Sequence, residues 1–257
     1  MSNTLVIQSH RSPLPYAWLE RCLVSVRNWC EKNRYDYEFL GDELFNHLAE
    51  DLQLKLKDQR VIATDLARLN LLQDKLNKDY RTAVWLDSDF LIFDPDKFIL
   101  PDDTYAVGRE VWVQRDESDK LKVYKKVHNA FLMFQRNNSF LHFYRETAER
   151  LLRQNQGGVP PQFIGPKLLT ALHNVTQLPI METAGMFSPL VIKDIAQNGG
   201  EALQHFIRSS PQTVRGANLC ISSRVKNEIS CAEVQRAIDN LLNEPAILTS
   251  YVRLQTD

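Results

Sequence analysis

Two carboxylates at positions i and i+2, Asp87 and Asp89, stand between two apolar runs. Thr82 to Leu86 (TAVWL) leads in, Asp87-Ser88-Asp89 follows, and Phe90 to Phe93 (FLIF) leads out. Two acids set between buried segments cannot both stay unpaired. A divalent cation is an economical partner. Mg2+ is commonly held by one or two carboxylates plus substrate phosphates, and Mn2+ also suits oxygen ligands. The pattern therefore offers metal–diphosphate binding at the carboxyl end of a strand, where ligands of open α/β sheets sit. The plain alternative is a strand end capped by acids, with Asp89 starting a turn.

A second feature lies just upstream. Residues 63–77 read as a helix whose apolar face is Ile62, Leu66, Leu69, Leu72 and Leu76. At about 100° per residue, Asp65 projects within about 20° of Leu72 and Leu76, into that face. Arg68, three residues on, lies at its edge. An intrahelical pair of this kind is worth only a few tenths of a kcal/mol, and an acid in the first turn also suits the helix dipole. A carboxylate aimed into an apolar sector favours the other reading, a polar pair turned into a cleft to bind hydroxyls or phosphate.

Other chemistries find less support. The six histidines form no HxxxH or HExxH pair, and none is assigned to metal. Cys22, Cys30, Cys220 and Cys231 form no CxxC, and without an export signal they read as reduced thiols of a cytoplasmic protein.

The elements that must position these residues alternate. Thr4 to Gln8 is a short buried strand, residues 16–33 an amphipathic helix, and Tyr37 to Leu40 a strand closed by Gly41-Asp42. Asp42 is a plausible N-cap for a helix through Leu52. Strands follow at Thr82 to Leu86, Phe90 to Phe93 and Asn129 to Phe134, and a long helix at Ser139 to Gln154. Arg115 to Lys126, rich in both charges, reads as a solvated loop or β-excursion. Gln154 to Pro161 is a loop. The alternation predicts one α/β domain over 1–257 with a central mixed, largely parallel sheet.

Composition bounds the rest. The chain has 257 residues, 44% of them hydrophobic, enough for a sizeable core. Lys plus Arg is 31 against 32 for Asp plus Glu, which argues against a nucleic-acid partner bound through bulk positive charge. No apolar run approaches the ~20 residues of a transmembrane helix, which leaves peripheral membrane association open.

The ordered residues resemble a family. Ala63-Thr64-Asp65-Leu66-Ala67-Arg68-Leu69, followed by Val84-Trp85-Leu86-Asp87-Ser88-Asp89, look like the D-x-x-R and D-x-D elements of GT-A glycosyltransferases. The similarity is to the group with a sugar-binding region containing a DXD motif: mannosyl-, galactosyl- and glucosyltransferases and bacterial capsule enzymes. The opening strand Leu5 to His10, the stretch 22–42, Asn129-Ala130-Phe131 and Gly165 to Thr170 (GPKLLT) match further segments, so the likeness covers roughly 4–173.

The resemblance implies a GT-A fold, a Rossmann-like domain whose part up to about 110 binds the nucleotide sugar and whose remainder faces the acceptor. It implies transfer of a sugar from a UDP-sugar, with Mn2+ or Mg2+, to a saccharide or lipid-linked acceptor, with retention of configuration. Asp89 would bind the metal directly. Asp87 would hold the ribose and assist the metal, with Ser88 between them. Asp65 and Arg68 would grip donor hydroxyls. Ser9 and residues 37–40 would line uracil and ribose. Asn129 and the Gly165-Pro166 turn would face the reacting sugar and the acceptor. One departure stands out: where relatives carry a further ligand, commonly His, this chain reads Gly216 to Ser222 (GANLCIS), so Asn218, Ser222 or water would have to supply the oxygen.

Two other functions compete. A haloacid-dehalogenase-like phosphatase also uses an Asp-x-Asp pair, but on its first strand and followed by a small hydroxylated pair, whereas Phe90-Leu91 follow here. A non-catalytic sugar-nucleotide-binding module would have no need to keep all of Asp65, Arg68, Asp87 and Asp89.

Overall fold

The computed structural model describes residues 3–220 and 228–249. Strand β1 (Thr4–Ser9) lies between β2 (Asp36–Leu40) and β3 (Thr82–Leu86), parallel to both. Beyond β3 the sheet reverses. β6 (Leu121–Gln135) runs antiparallel to β3 and to β5 (Tyr105–Arg115), and the short β7 (Ile180–Met181) closes the edge parallel to β5. The six-stranded order is β2-β1-β3-β6-β5-β7. The sheet is therefore mixed, as expected, but less parallel than the alternation implies.

Alternation along each strand divides the core. Leu5 and Ile7 of β1, Ala83 and Trp85 of β3, and Leu132 and Phe134 of β6 face α3 (Arg60–Lys78) and α4 (Ser139–Gln154). Val6, Val84, Leu86, Phe131 and Met133 face α1 (Ala17–Asn33) through Val26, Trp29 and Cys30. A second small sheet, β4 (Phe90–Ile92), β9 (Gly216–Asn218) and β8 (Ala184–Met186), adjoins the carboxyl end of β3. A third apolar core beside it gathers α6 (Pro189–Ala196), α7 (Glu201–Ser209) and α8 (Cys231–Asn243). α5 (Leu168–Thr176) follows the turn Phe163–Lys167. Among the described residues, no helix is long and apolar enough to cross a membrane.

Two expectations change, and one strand is added. The helix from Asp42 through Leu52 is two pieces, a 3-10 turn Asp42–His47 and α2 (Glu50–Lys55), with Gly41 rather than Asp42 at the cap. Leu48 is extended between them (φ −95°, ψ 144°), and the bend buries Leu44, Leu48, Leu52 and Leu56 together. Phe90 to Ile92 joins the small sheet rather than the central one. The charged stretch 115–126 is the tip of the β5–β6 hairpin, the β-excursion reading, and β5 itself was not anticipated.

Candidate functional site

Asp87 follows the last residue of β3 and shares a side with Trp85, because i and i+2 point the same way on a strand. That side faces α3. Its Oδ1 accepts the Trp85 indole N–H at 2.7 Å and Arg68 Nη1 at 3.0 Å. Arg68 lies with its guanidinium 4.9 Å over the Trp85 ring. Its Nη1 also donates to the main-chain oxygen of Asn129 at 2.9 Å, and its Nη2 lies 3.0 Å from Asp65 Oδ1. The Asp65–Arg68 pair is thus no isolated i,i+3 bridge: it ties α3 to β3 and β6.

Asn129 reaches this point through an irregularity in β6. The consecutive residues Val107 and Gly108 of β5 pair with Leu132 and His128, so Asn129, Ala130 and Phe131 bulge out of that ladder. A bulge re-aims side chains. Here it sends Asn129 Nδ2 to Asp65 Oδ1 at 2.8 Å, while the Ala130 oxygen accepts the Asp87 N–H at 2.9 Å.

Asp65 is 4% exposed, and its Oδ2 is buried with no hydrogen-bond partner. Gly165 covers it: a Cβ there would stand 2.6 Å from that oxygen and 2.7 Å from Asn129 Nδ2. The turn that brings Gly165 in is pinned by Tyr144, whose hydroxyl donates to the Ile164 oxygen at 2.7 Å. Pro166 is half-buried beside it. Burial pushes the Asp65 carboxyl up to about 6, with the Asp87 charge adding to the rise and Arg68 and Asn129 opposing it. Burial disfavours the Arg68 charge, but Asp87 and Asp65 outweigh it and raise its pKa.

Asp87 and Asp89 differ. The Asp87 side chain is 29% exposed, whereas Asp89 is 4% exposed and Ser88 is buried. Asp89 Oδ1 accepts Asn218 Nδ2 at 2.6 Å, and its main-chain oxygen accepts the Leu219 N–H. The Asn218 oxygen accepts the Cys220 N–H at 2.8 Å, which fixes the amide orientation. Asn218 therefore stands beside Asp89, as the resemblance implies, but turns its nitrogen to it. Ser222 lies outside the described residues. The Cys220 thiol is raised by burial and by the charges of Asp89, Glu110 and Asp87.

The first strand contributes as well. Gln8, wholly buried in an apolar strand, donates to the main-chain oxygen of Asp87 at 3.0 Å and accepts the Tyr37 hydroxyl at 3.1 Å. Ser9 is half-buried and donates to the Gly41 oxygen at 3.4 Å. A cleft of 270 Å³ opens nearby between Arg11, Leu14, Arg27, Tyr37 and Phe39. Gln8 and Trp85 were missed in sequence. The signals were present: a polar residue inside a buried strand, and an indole two residues before an acid.

No protein-family model matches the chain, and no curated protein matches it in sequence. Among solved structures it is similar to a glycosyltransferase involved in the glycosylation of the major capsid of PBCV-1, at 12% identity and a TM-score of 0.48, covering 91% of this chain and 98% of that one. It is also similar to 4-diphosphocytidyl-2C-methyl-D-erythritol synthase from Anaerococcus prevotii, at 8% identity and a TM-score of 0.32, covering 72% of this chain and 88% of that one. Function therefore rests on the chain's own side chains.

Proposed function

We propose that the chain is a GT-A-type glycosyltransferase that moves a sugar, with retention, from a UDP-sugar to a hydroxyl of a saccharide or lipid-linked acceptor. One observation carries this reading: Asp65, Arg68 and Asn129, all buried, and the partly exposed Asp87 form one hydrogen-bonded network at the carboxyl end of β3, with Asp89 two residues on. Sugar hydroxyls need such a set of fixed donors and acceptors.

The donor set suits a divalent cation. Among the described residues no group of three or more His, Cys, Asp and Glu side chains could form a closed cage. Two carboxylates, one half-exposed and one buried, suit Mg2+ or Mn2+ shared with a substrate diphosphate. Asp87 and Asp89 would hold it, and such an ion stabilises negative charge on a departing diphosphate. Asp65 Oδ2, beneath Gly165 and without a hydrogen-bond partner, is the acceptor left for a donor-sugar hydroxyl. Arg68, fixed by four partners and resting on Trp85, orients Asp65 and Asp87 together. Tyr37, whose hydroxyl donates to Gln8, borders the cleft where base and ribose would lie.

A phosphatase is less well served. Asp87 would be its nucleophile, yet Oδ1 is engaged by Arg68 and Trp85, which lowers its nucleophilicity.

Calorimetry of UDP with Mn2+ tests the proposal. Asp89→Asn should keep the fold and abolish Mn2+-dependent affinity, because a diphosphate beside two carboxylates is repelled without a cation between them. Equal affinity in the variant would remove Asp89 from the site. A thermal-shift screen of UDP-sugars with Mn2+ would then name the donor, since a ligand at 100 times its Kd adds about 2.7 kcal/mol.

A further inference from the structure

Past the Asn129 bulge, the β5–β6 hairpin has one packed face and one open face. Val111, Val113, Val123 and Leu121 turn to the core of α6, α7 and α8. The opposite face presents three rungs in register: Glu110 with Lys126, Trp112 with Tyr124, and Gln114 with Lys122. Tyr124 is 40% exposed, and Trp112 is half-buried directly across from it. Single exposed apolar residues are ordinary. Two aromatic side chains paired across strands on an open face, outside any core, are not.

Their neighbours hold them and add hydrogen-bonding capacity. The Trp112 indole N–H donates to Gln114 Oε1 at 3.1 Å. Lys126 Nζ stands 5.9 Å from the Tyr124 ring centre, the outer limit of a cation–π contact. Lys122 is paired with Asp116 at 3.0 Å.

The strand that carries the face runs on to the candidate site. The rung beyond Glu110–Lys126 is Gly108–His128, and Asn129 follows. From Tyr124 to Asn129 the strand spans about 17 Å at ~3.4 Å per residue.

We propose that the Trp112–Tyr124 face is a subsite for a glycan acceptor at least two sugars long, with pyranose faces stacked on the rings and Gln114, Lys122 and Lys126 meeting its hydroxyls. This rests on the sugar-transfer reading above and names its acceptor class. The charges exclude closer rivals. Lys122 is offset by Asp116 and Lys126 stands beside Glu110, so the face lacks the free positive field that single-stranded nucleic acid requires. Polar rungs on both sides of the aromatic one suit hydroxyl-rich sugar rather than a lipid surface.

A printed array of bacterial, plant and animal glycans, probed with fluorescently labelled protein, tests this. The wild type should retain a defined set of glycans. Tyr124→Ala and Trp112→Phe should each lower that signal at least tenfold while melting as the wild type does. Mn2+-dependent UDP affinity, measured by calorimetry, should not change in either. Tyr124 is exposed, so its truncation gives a folded variant even if Trp112 proves sensitive. A wild type that retains no glycan, or folded variants that retain glycans equally well, would overturn the subsite. Failure of the transfer reading looks different: glycans retained by the aromatic face, but no Mn2+-dependent UDP binding in the wild type.

Discussion

Asn129 Nδ2 donates to Asp65 Oδ1 at 2.8 Å, joining a strand bulge to the middle of a helix 64 residues earlier in the chain. The contact satisfies one oxygen of a buried carboxylate and leaves the other to Gly165. If that second oxygen serves the donor sugar, Asp65→Asn should lower transfer far more than UDP affinity. Hydrogen bonds to a charged group contribute about 1.5–3 kcal/mol, which corresponds to a roughly ten- to hundred-fold loss in kcat/KM. Full turnover in the variant, with only a lower Tm, would make Asp65 a structural partner of Arg68.

The same variant carries a pH signature. Burial raises Asp65 from 3.8 to about 6, so the folded state holds its proton more tightly than the unfolded chain. Its stabilising contribution is complete below 3.8 and is lost as pH rises through 6. A shift of that size is worth about 3 kcal/mol. Between pH 4 and pH 7 the wild type should therefore lose about 2 kcal/mol relative to Asp65→Asn. Urea unfolding of both proteins across that range reads the difference, and a constant gap would contradict a buried, proton-retaining Asp65.

Gly165→Ala should act on chemistry as well as on folding. The added methyl would meet Asp65 Oδ2 at 2.6 Å and Asn129 Nδ2 at 2.7 Å, so the turn or the pair must shift. Donor turnover should fall at least tenfold while Mn2+-dependent UDP affinity holds. Unchanged turnover would place the turn away from the reacting sugar.

Much of this site is legible in the sequence, for specific reasons. Asp65 reveals itself because α3 is long and strongly periodic, so a single carboxylate within its apolar sector is conspicuous. Asp87 reveals itself because β3 ends abruptly in acids. What stays hidden depends on contacts between distant segments. The Asn129 bulge exists only in the register of β5 against β6, and β5 escapes notice because Arg109 and Glu110 interrupt its apolar alternation. Asn218 meets Asp89 only because the small sheet pairs β9 with β4. The break at Leu48 follows from burying four leucines at once, a tertiary demand that overrides local helix signals.

His128 supplies the last prediction. It is wholly buried under the bulge, accepting the Ala130 N–H on Nδ1 at 3.1 Å, so its proton resides on Nε2, which faces the Ala184 oxygen at 3.3 Å. Burial lowers its pKa from 6.5 to about 4. A histidine depressed in the folded state stabilises fully above 6.5 and loses that contribution as pH falls through 4, an effect of about 3 kcal/mol. The advantage of the wild type over His128→Gln should therefore shrink by about that amount between pH 7 and pH 4. Asp65 tilts the wild-type profile the other way over the same window, so each variant is compared with the wild type at every pH rather than read alone. Gly108→Ala should destabilise at all pH values, by about 1–3 kcal/mol, because its Cβ would stand 2.1 Å from the His128 ring and something must move. Chemical unfolding of both variants at pH 7, 5.5 and 4 separates the two effects: a pH-dependent loss belongs to the imidazole, a constant one to the packing around it. If the gap for His128→Gln stays constant across that range, the imidazole titrates normally and is not held neutral by burial.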